Sequence, residues 1–286
     1  MLIDTHCHLD FPDFDSDREA VIRRATDAGV TRLITIGTNL QTSQAAVALA
    51  ETHANVYATV GIHPCEVAET PENACDQLEE LARHPKVVAL GECGLDYHHL
   101  PSREKSAFQN AAQSTGGTPP GTEEALLADA DLKNRQSIFF QEQLDLAVRL
   151  NLNVVIHQRD SWADTLAALK PYSGRLRGVF HCFSGTPDQA SELLQMGHAV
   201  SFTGIVTFKN AKDLHACVRQ VPASSFFVET DCPYLSPEPH RGQRCEPAYT
   251  RLVAERIASL RGMPLEEIAR ETTAAAEKFF RFPSIA

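Results

Sequence analysis

No apolar stretch approaches the roughly 18 residues that a membrane-spanning helix needs, so none is expected. Positive charge is also short. The 26 Lys and Arg face 37 Asp and Glu, a formal net charge of -11. Such a chain has no whole-surface attraction for nucleic acid or an anionic membrane. A polyanionic substrate would have to be drawn by a local site, such as metal ions and a few arginines. The opening residues MLIDTHCHLD contain no basic stretch followed by an apolar run, so a secretory leader is not expected. The eight cysteines include no CxxC pair, which leaves a zinc ribbon or thioredoxin motif unsupported. Free thiols in a cytoplasmic protein are the simplest reading. The G-x-G-x-x-G dinucleotide fingerprint is missing too.

What is present is a strand–helix rhythm over 286 residues, with 43% hydrophobic and 22% charged content. Short apolar runs occupy 2–5, 31–36, 56–61, 87–91, 153–156, 178–180, 198–202 and 225–228. Each has the length of a buried parallel strand. Helical spacing lies between most of them: Ala20, Val21, Ala25 and Ala28, closed by Gly29; Ala45, Leu49 and Ala50; Leu144, Ala147, Val148 and Leu150. Two more helical patterns, 249–260 and 265–280, close the chain. Alternation of this kind implies a parallel sheet, and eight runs favour a single-domain (β/α)8 TIM barrel over an open doubly wound sheet.

One segment breaks the rhythm, and an insertion is expected at about 104–131. Its Gly/Pro/Thr-rich part, QSTGGTPPG, spans Gln113 to Gly121 and reads as an irregular loop. Thr122 is a candidate N-cap of a helix running on into the 139–150 pattern. The insertion is a tolerated surface loop or, since it leaves the strand end that carries Glu92, a lid bearing Glu123, Glu124, Asp129 and Asp131.

Several apolar runs end in metal-ligand residues. His6 and His8 are two apart at the end of the first run, so period-2 alternation puts both imidazoles on one face. Glu92, His157, His181 and Asp231 each follow an apolar run. In a barrel, strand C-terminal ends converge on one rim. Mixed imidazole and carboxylate donors suit zinc, manganese or iron, and carboxylate-rich sites accept magnesium. Cys7, Cys93, Cys182 and Cys232 each neighbour a proposed ligand and should face the opposite way, as buried fillers. His63 reaches the same rim; Arg159 and Arg241 are candidates for gripping phosphate, and Tyr97, Phe183 and Tyr234 for stacking on bases.

The motifs HCHLD, GIHP, GECGLDY, VIHQRD, HCFSG, ETDCPYL and PHRG, in that order from Met1 to about Phe280, resemble the TatD-related deoxyribonucleases, metal-dependent hydrolases on an amidohydrolase-like barrel. The resemblance implies two divalent metal ions per chain, Mg, Mn or Zn. His6, His8 and Asp231 would hold one, His157 and His181 the other, and Glu92 would bridge them. It implies DNA phosphodiester hydrolysis, often 3′–5′ exonucleolytic. In that setting Asp231 and Glu92 are the catalytic residues, with Asp231 taking a proton from the attacking water. His63, Arg159 and Arg241 would bind substrate.

The chain departs from the family in two places. About thirty extra residues follow GLDY, which bears on substrate access. Gln243 and Cys245 stand where a lysine and an asparagine are common, which bears on phosphate affinity. The alternative is a binuclear amidohydrolase-type enzyme acting on a non-DNA ester or amide such as D-aminoacyl-tRNA. Many amidohydrolases bridge their metals with a carboxylated lysine at the fourth strand, where this chain has Glu92. DNA is the expected partner, no membrane is, and a monomer is the default.

Overall fold

The computed structural model of the protein describes residues 1–103 and 122–283, leaving aside the side chains of residues 122 and 123. Its eight strands are β1 (Leu2–Cys7), β2 (Val30–Ile36), β3 (Val56–Val60), β4 (Val87–Asp96), β5 (Val154–Arg159), β6 (Gly178–Phe180), β7 (Ala199–Phe202) and β8 (Phe226–Val228). They lie side by side in chain order, and each neighbouring pair is parallel. The barrel closes where β1 meets the chain leaving β8. Cys7 and Cys232 form a parallel bridge, Asp231 N donates to His6 O at 2.8 Å, and His8 N donates to Cys232 O at 2.9 Å. The expected (β/α)8 barrel is therefore the observed one.

The helices among the described residues form the outer layer. They are α1 (Arg18–Asp27), α2 (Leu40–Thr52), α3 (Ala74–Ala82), α4 (Thr122–Leu150), α5 (Trp162–Leu169), α6 (Pro187–Gln195), α7 (Lys212–Gln220), α8 (Thr250–Arg261) and α9 (Leu265–Phe280). Local chemistry fixes several ends. Asn39 and Thr186 each close a capping box at the start of α2 and α6, and α6 adds Pro187 in its first turn. Gly262 ends α8 in the left-handed conformation that costs glycine least. One apolar cluster fills the space between strands and helices, with Val21, Leu33, Leu78, Leu144, Ile156 and Val253 among its members. A second lies at the barrel end where the strands begin, where Ile3, Ile34, Tyr57, Val88, Val155, Val179 and Phe227 meet Phe279 and Phe280 of α9.

Two strands run further than their apolar runs suggest. β4 continues past Gly91 to Asp96, and β5 past Ile156 to Arg159. The cause lies in Gly91 and Gly94, both at positive φ. A Cβ on Gly94 would stand 1.9 Å from His157 O, and one on Gly91 2.4 Å from Val155 O. Only glycine permits β4 to lie so close against β5.

Helix α4 runs unbroken from Thr122 to Leu150, so the expected helix does continue into the 139–150 pattern. The expected loop Gln113–Gly121 lies outside the described residues. The helix's early turns are packed: Ala125 and Asp129 are buried, and Asp129 accepts from Ser102 N at 2.9 Å and Ser102 Oγ at 2.5 Å. Arg135 donates to the carbonyls of Val67 and Thr70. Further along, Gln143 clasps Ile62, accepting from its N–H at 2.8 Å and donating to its carbonyl at 3.1 Å. Gln136 clasps Asp96 the same way, at 3.0 Å in both directions. These two glutamines sit about two helical turns apart. They anchor the GIHP and GLDY turns, both of which face the rim.

Candidate metal centre

Two of the ligand-bearing strands carry an irregularity just where their ligand stands. The β1–β2 register shifts between Asp4 and Cys7, and the β4–β5 register between Leu90 and Cys93. A bulge of this kind re-aims a side chain. On β1, Ile3 joins the apolar cluster at one end while His6 turns to the other end's polar group. On β4, Glu92 is turned into the barrel mouth and is 3% exposed. After β8, Asp231 takes a left-handed backbone, φ 60°, a conformation uncommon outside glycine, and its N–H is spent on His6 O.

The six expected ligands converge, and the two oxygens of Glu92 face different partners. Oε2 lies 3.4 Å from His6 Nε2. His6 Nε2 and His8 Nε2 are each 3.5 Å from Asp231 Oδ1, which completes the first group. Oε1 faces the second group: His181 Nε2 at 2.6 Å, His157 Nδ1 at 2.9 Å and His63 Nε2 at 3.4 Å. Within it, His181 Nε2 and His157 Nδ1 are 3.4 Å apart.

The first group's separations fit a divalent cation, whereas the 2.6 and 2.9 Å contacts of the second are hydrogen-bond lengths. Donors around a tetrahedral ion with bonds of about 2.0–2.1 Å are separated by roughly 3.3–3.4 Å. The His6–Glu92, His6–Asp231 and His8–Asp231 separations all fall at 3.4–3.5 Å, too long for good hydrogen bonds. Among the described residues, both ring nitrogens of the fully buried His6, and Nδ1 of His181, have no hydrogen-bond partner. Buried nitrogens without partners are costly unless something else takes their lone pairs. The remaining ring nitrogens are oriented as ligand histidines require. His8 Nδ1 is 3.3 Å from Ile36 O, which can only accept, so Nδ1 carries the proton and Nε2 is free to coordinate.

The carboxylates are held ionised, while the histidines divide: His6 and His63 are lowered, and His8, His157 and His181 are raised by the carboxylates beside them. Burial would raise the Glu92 carboxyl, but His181, His63 and His157 outweigh it and hold the group well below the carboxylate range. Asp231 is likewise pushed up by burial and more strongly down by His8 and His6. Burial and repulsion from His181 lower His6, keeping it in the neutral form that binds metal. Burial lowers His157 as well, yet its bonds to Asp96 and Glu92 lift it to about 9.

The substrate-side candidates divide. His63 stands in the centre itself, grouped with Glu92 and His157. Arg159 lines a cleft of about 630 Å³ that also touches His181, Trp162 and Phe183. Arg241 lies over the Phe208 ring at 4.3 Å. Of the stacking candidates, Tyr234 exposes 56% of its surface, and its ring meets Phe11, which in turn stacks on His8. Tyr97 is tied to Asp164 at 2.8 Å, and Phe183 is buried. Cys7, Cys93 and Cys232 are buried fillers as expected; Cys182 is only partly covered.

Some residues important to this geometry were not singled out in the sequence. Asp96 is 1% exposed, and its Oδ2 accepts from His157 Nε2 at 3.0 Å, fixing the tautomer that leaves Nδ1 toward Glu92. Its signal was present: it stands four residues after Glu92, on the same face of an alternating strand. Glu229, two residues before Asp231, braces the rim by accepting from Cys182 N at 2.8 Å and Thr5 Oγ1 at 3.0 Å.

The barrel and its histidine–carboxylate centre define a metal-dependent hydrolase. The chain belongs to the TatD-related DNase family, whose model matches residues 3–281. It is 38% identical over 282 residues to a Bacillus subtilis protein named uncharacterized metal-dependent hydrolase YabD, covering 98% of this chain and 99% of that one. It is 34% identical over 287 residues to the 3′-5′ ssDNA/RNA exonuclease TatD of Pantoea vagans, covering 98% and 99%. Among solved structures, the TatD homolog YJJV of Escherichia coli superposes with a TM-score of 0.83 at 30% identity, over 99% of this chain and 98% of that one. No helix among the described residues is long and apolar enough to cross a membrane.

Proposed function

We propose that the protein is a cytoplasmic 3′–5′ exonuclease acting on single-stranded DNA with two divalent cations. The observation that carries this reading is the placement of Glu92, one oxygen toward His6 and the other toward His157 and His181. One carboxylate between two donor groups is what a two-ion site needs. The exonuclease name of the Pantoea relative supports the substrate class.

His6, His8 and Asp231 would hold one ion and His157 and His181 the other, with Glu92 between them. Bound cations supply Lewis-acid stabilisation of charge on phosphate oxygens and make water more acidic at neutral pH. Asp231, ionised and at the edge of the centre, takes the proton from the attacking water. His63, kept largely neutral by burial, donates to a phosphate oxygen. Arg159, on the cleft beside His181, grips the next phosphate, and Tyr234 offers a ring to a terminal base. Arg241 steers the strand from the loop after β8.

The test compares single-stranded DNA labelled at the 5′ end with the same strand blocked at its 3′ end, alongside RNA, a lactone and a D-aminoacyl ester. A ladder shortening from the open 3′ end is expected. Equal cleavage of blocked strands, or turnover confined to the ester, defeats the reading.

A further inference from the structure

We propose that Cys65, Asp96 and His99 form a further cation site at the barrel rim, suited to zinc and distinct from the buried centre. Cys65 Sγ is 3.8 Å from both Asp96 Oδ2 and His99 Nδ1, and those two atoms are 2.9 Å apart. The three donor atoms therefore point at one another. Around tetrahedral zinc, with a bond of about 2.3 Å to sulfur and about 2.0–2.1 Å to nitrogen or oxygen, sulfur stands roughly 3.6 Å from the other donors. The two sulfur distances are close to that value. The His99–Asp96 hydrogen bond would open by about 0.5 Å.

The trio is held in place rather than met by chance. Asp96 Oδ1 accepts the N–H groups of His98 at 2.8 Å and His99 at 3.0 Å, which fixes the carboxylate and the start of the next turn. Cys65 N donates to His63 Nδ1 at 3.1 Å. Gln143 and Gln136 of α4 clasp the backbones of the two turns that bring the ligands. Cys65 and His99 remain exposed, so an ion can enter and water can complete the coordination.

Donor chemistry chooses the metal class. A thiolate, an imidazole and a carboxylate form a borderline-soft set that favours zinc over magnesium or manganese. Binding displaces the thiol proton to solvent. The site is linked to the centre by one hydrogen bond, because Asp96 Oδ2 accepts from His157 Nε2 as well. The inference does not rest on the nuclease reading, since it concerns coordination alone.

The test uses the full chain, stripped with a chelator and titrated with Co²⁺. A thiolate-to-cobalt charge-transfer band in the near ultraviolet is expected, bleached when Zn²⁺ is added. Cys65→Ser should abolish it, His99→Ala should remove most of it, and each should lower zinc content by one ion per chain. Cys75→Ser should leave the band intact, and His181→Ala should keep the band while losing zinc from the buried centre. No band in the wild type, or a band unchanged by Cys65→Ser or His99→Ala, overturns the proposal.

Discussion

At the end where the strands begin, the barrel is filled by Ile3, Ile34, Tyr57, Val155, Val179 and Phe227, and closed by Phe279 and Phe280 of α9. At the other end, His6, His8, His63, His157 and His181 stand with Glu92, Asp96 and Asp231 within a few ångströms of one another, each buried or half-buried. The first end is a packed hydrocarbon core whose contribution is stability. The second gathers charges, unpartnered nitrogens and left-handed backbone that no stable core would choose. Such local conflict marks function. The two ends should therefore respond oppositely to substitution.

The largest effect is expected at the polar end. Asp231→Asn should fold normally by circular dichroism yet lose about 10²–10⁴-fold in turnover with saturating metal. Near wild-type activity would remove Asp231 from the proposed chemistry. At the apolar end, Phe280→Ala should cost about 3–5 kcal/mol of stability while leaving activity per folded molecule unchanged. A selective loss of turnover without a lower Tm would erase the contrast.

The apolar end should also carry a pH signature. His198, just before β7, accepts from Gly178 N at 3.0 Å, and burial, with Arg177 adding to it, lowers its pKa to about 4 from 6.5. Between those values the unfolded chain binds the proton and the folded one does not, so stability is full above about 6.5 and falls as the pH drops toward 4. The loss is roughly 3 kcal/mol as an upper bound. His198→Gln should flatten this part of the Tm–pH curve; an unchanged slope would assign it to other groups. Smallest is Asp96→Asn, which should weaken metal binding or activity by about 10–100-fold through His157. Metal titration of the variant checks it, and wild-type affinity would reduce Asp96 to a bracing group of the turn at His98 and His99.

Much of this was legible in the sequence, for physical reasons that also mark its limits. His6, His8, Glu92, His157, His181 and Asp231 could be read because each ends an apolar run, and parallel strands bring such ends together. The bulges in β1 and β4 could not, because a register shift depends on the neighbouring strand. Gln136 and Gln143 looked like ordinary polar positions on a helix. Their partners are backbone groups 40 and 81 residues away, which no local pattern reveals. Asp129 counts among the acids of the insertion in the sequence, whether as surface loop or as lid, and its turn inward to Ser102 depends on a partner 27 residues away.

The central claim is that the six converging side chains work as a two-cation hydrolytic centre. Its most direct test titrates Mn²⁺ into chelator-stripped protein while following the shortening of 5′-labelled single-stranded DNA. The account predicts no turnover without metal and recovery that needs two equivalents per chain. Turnover that persists after stripping, or full recovery with one equivalent, would contradict it.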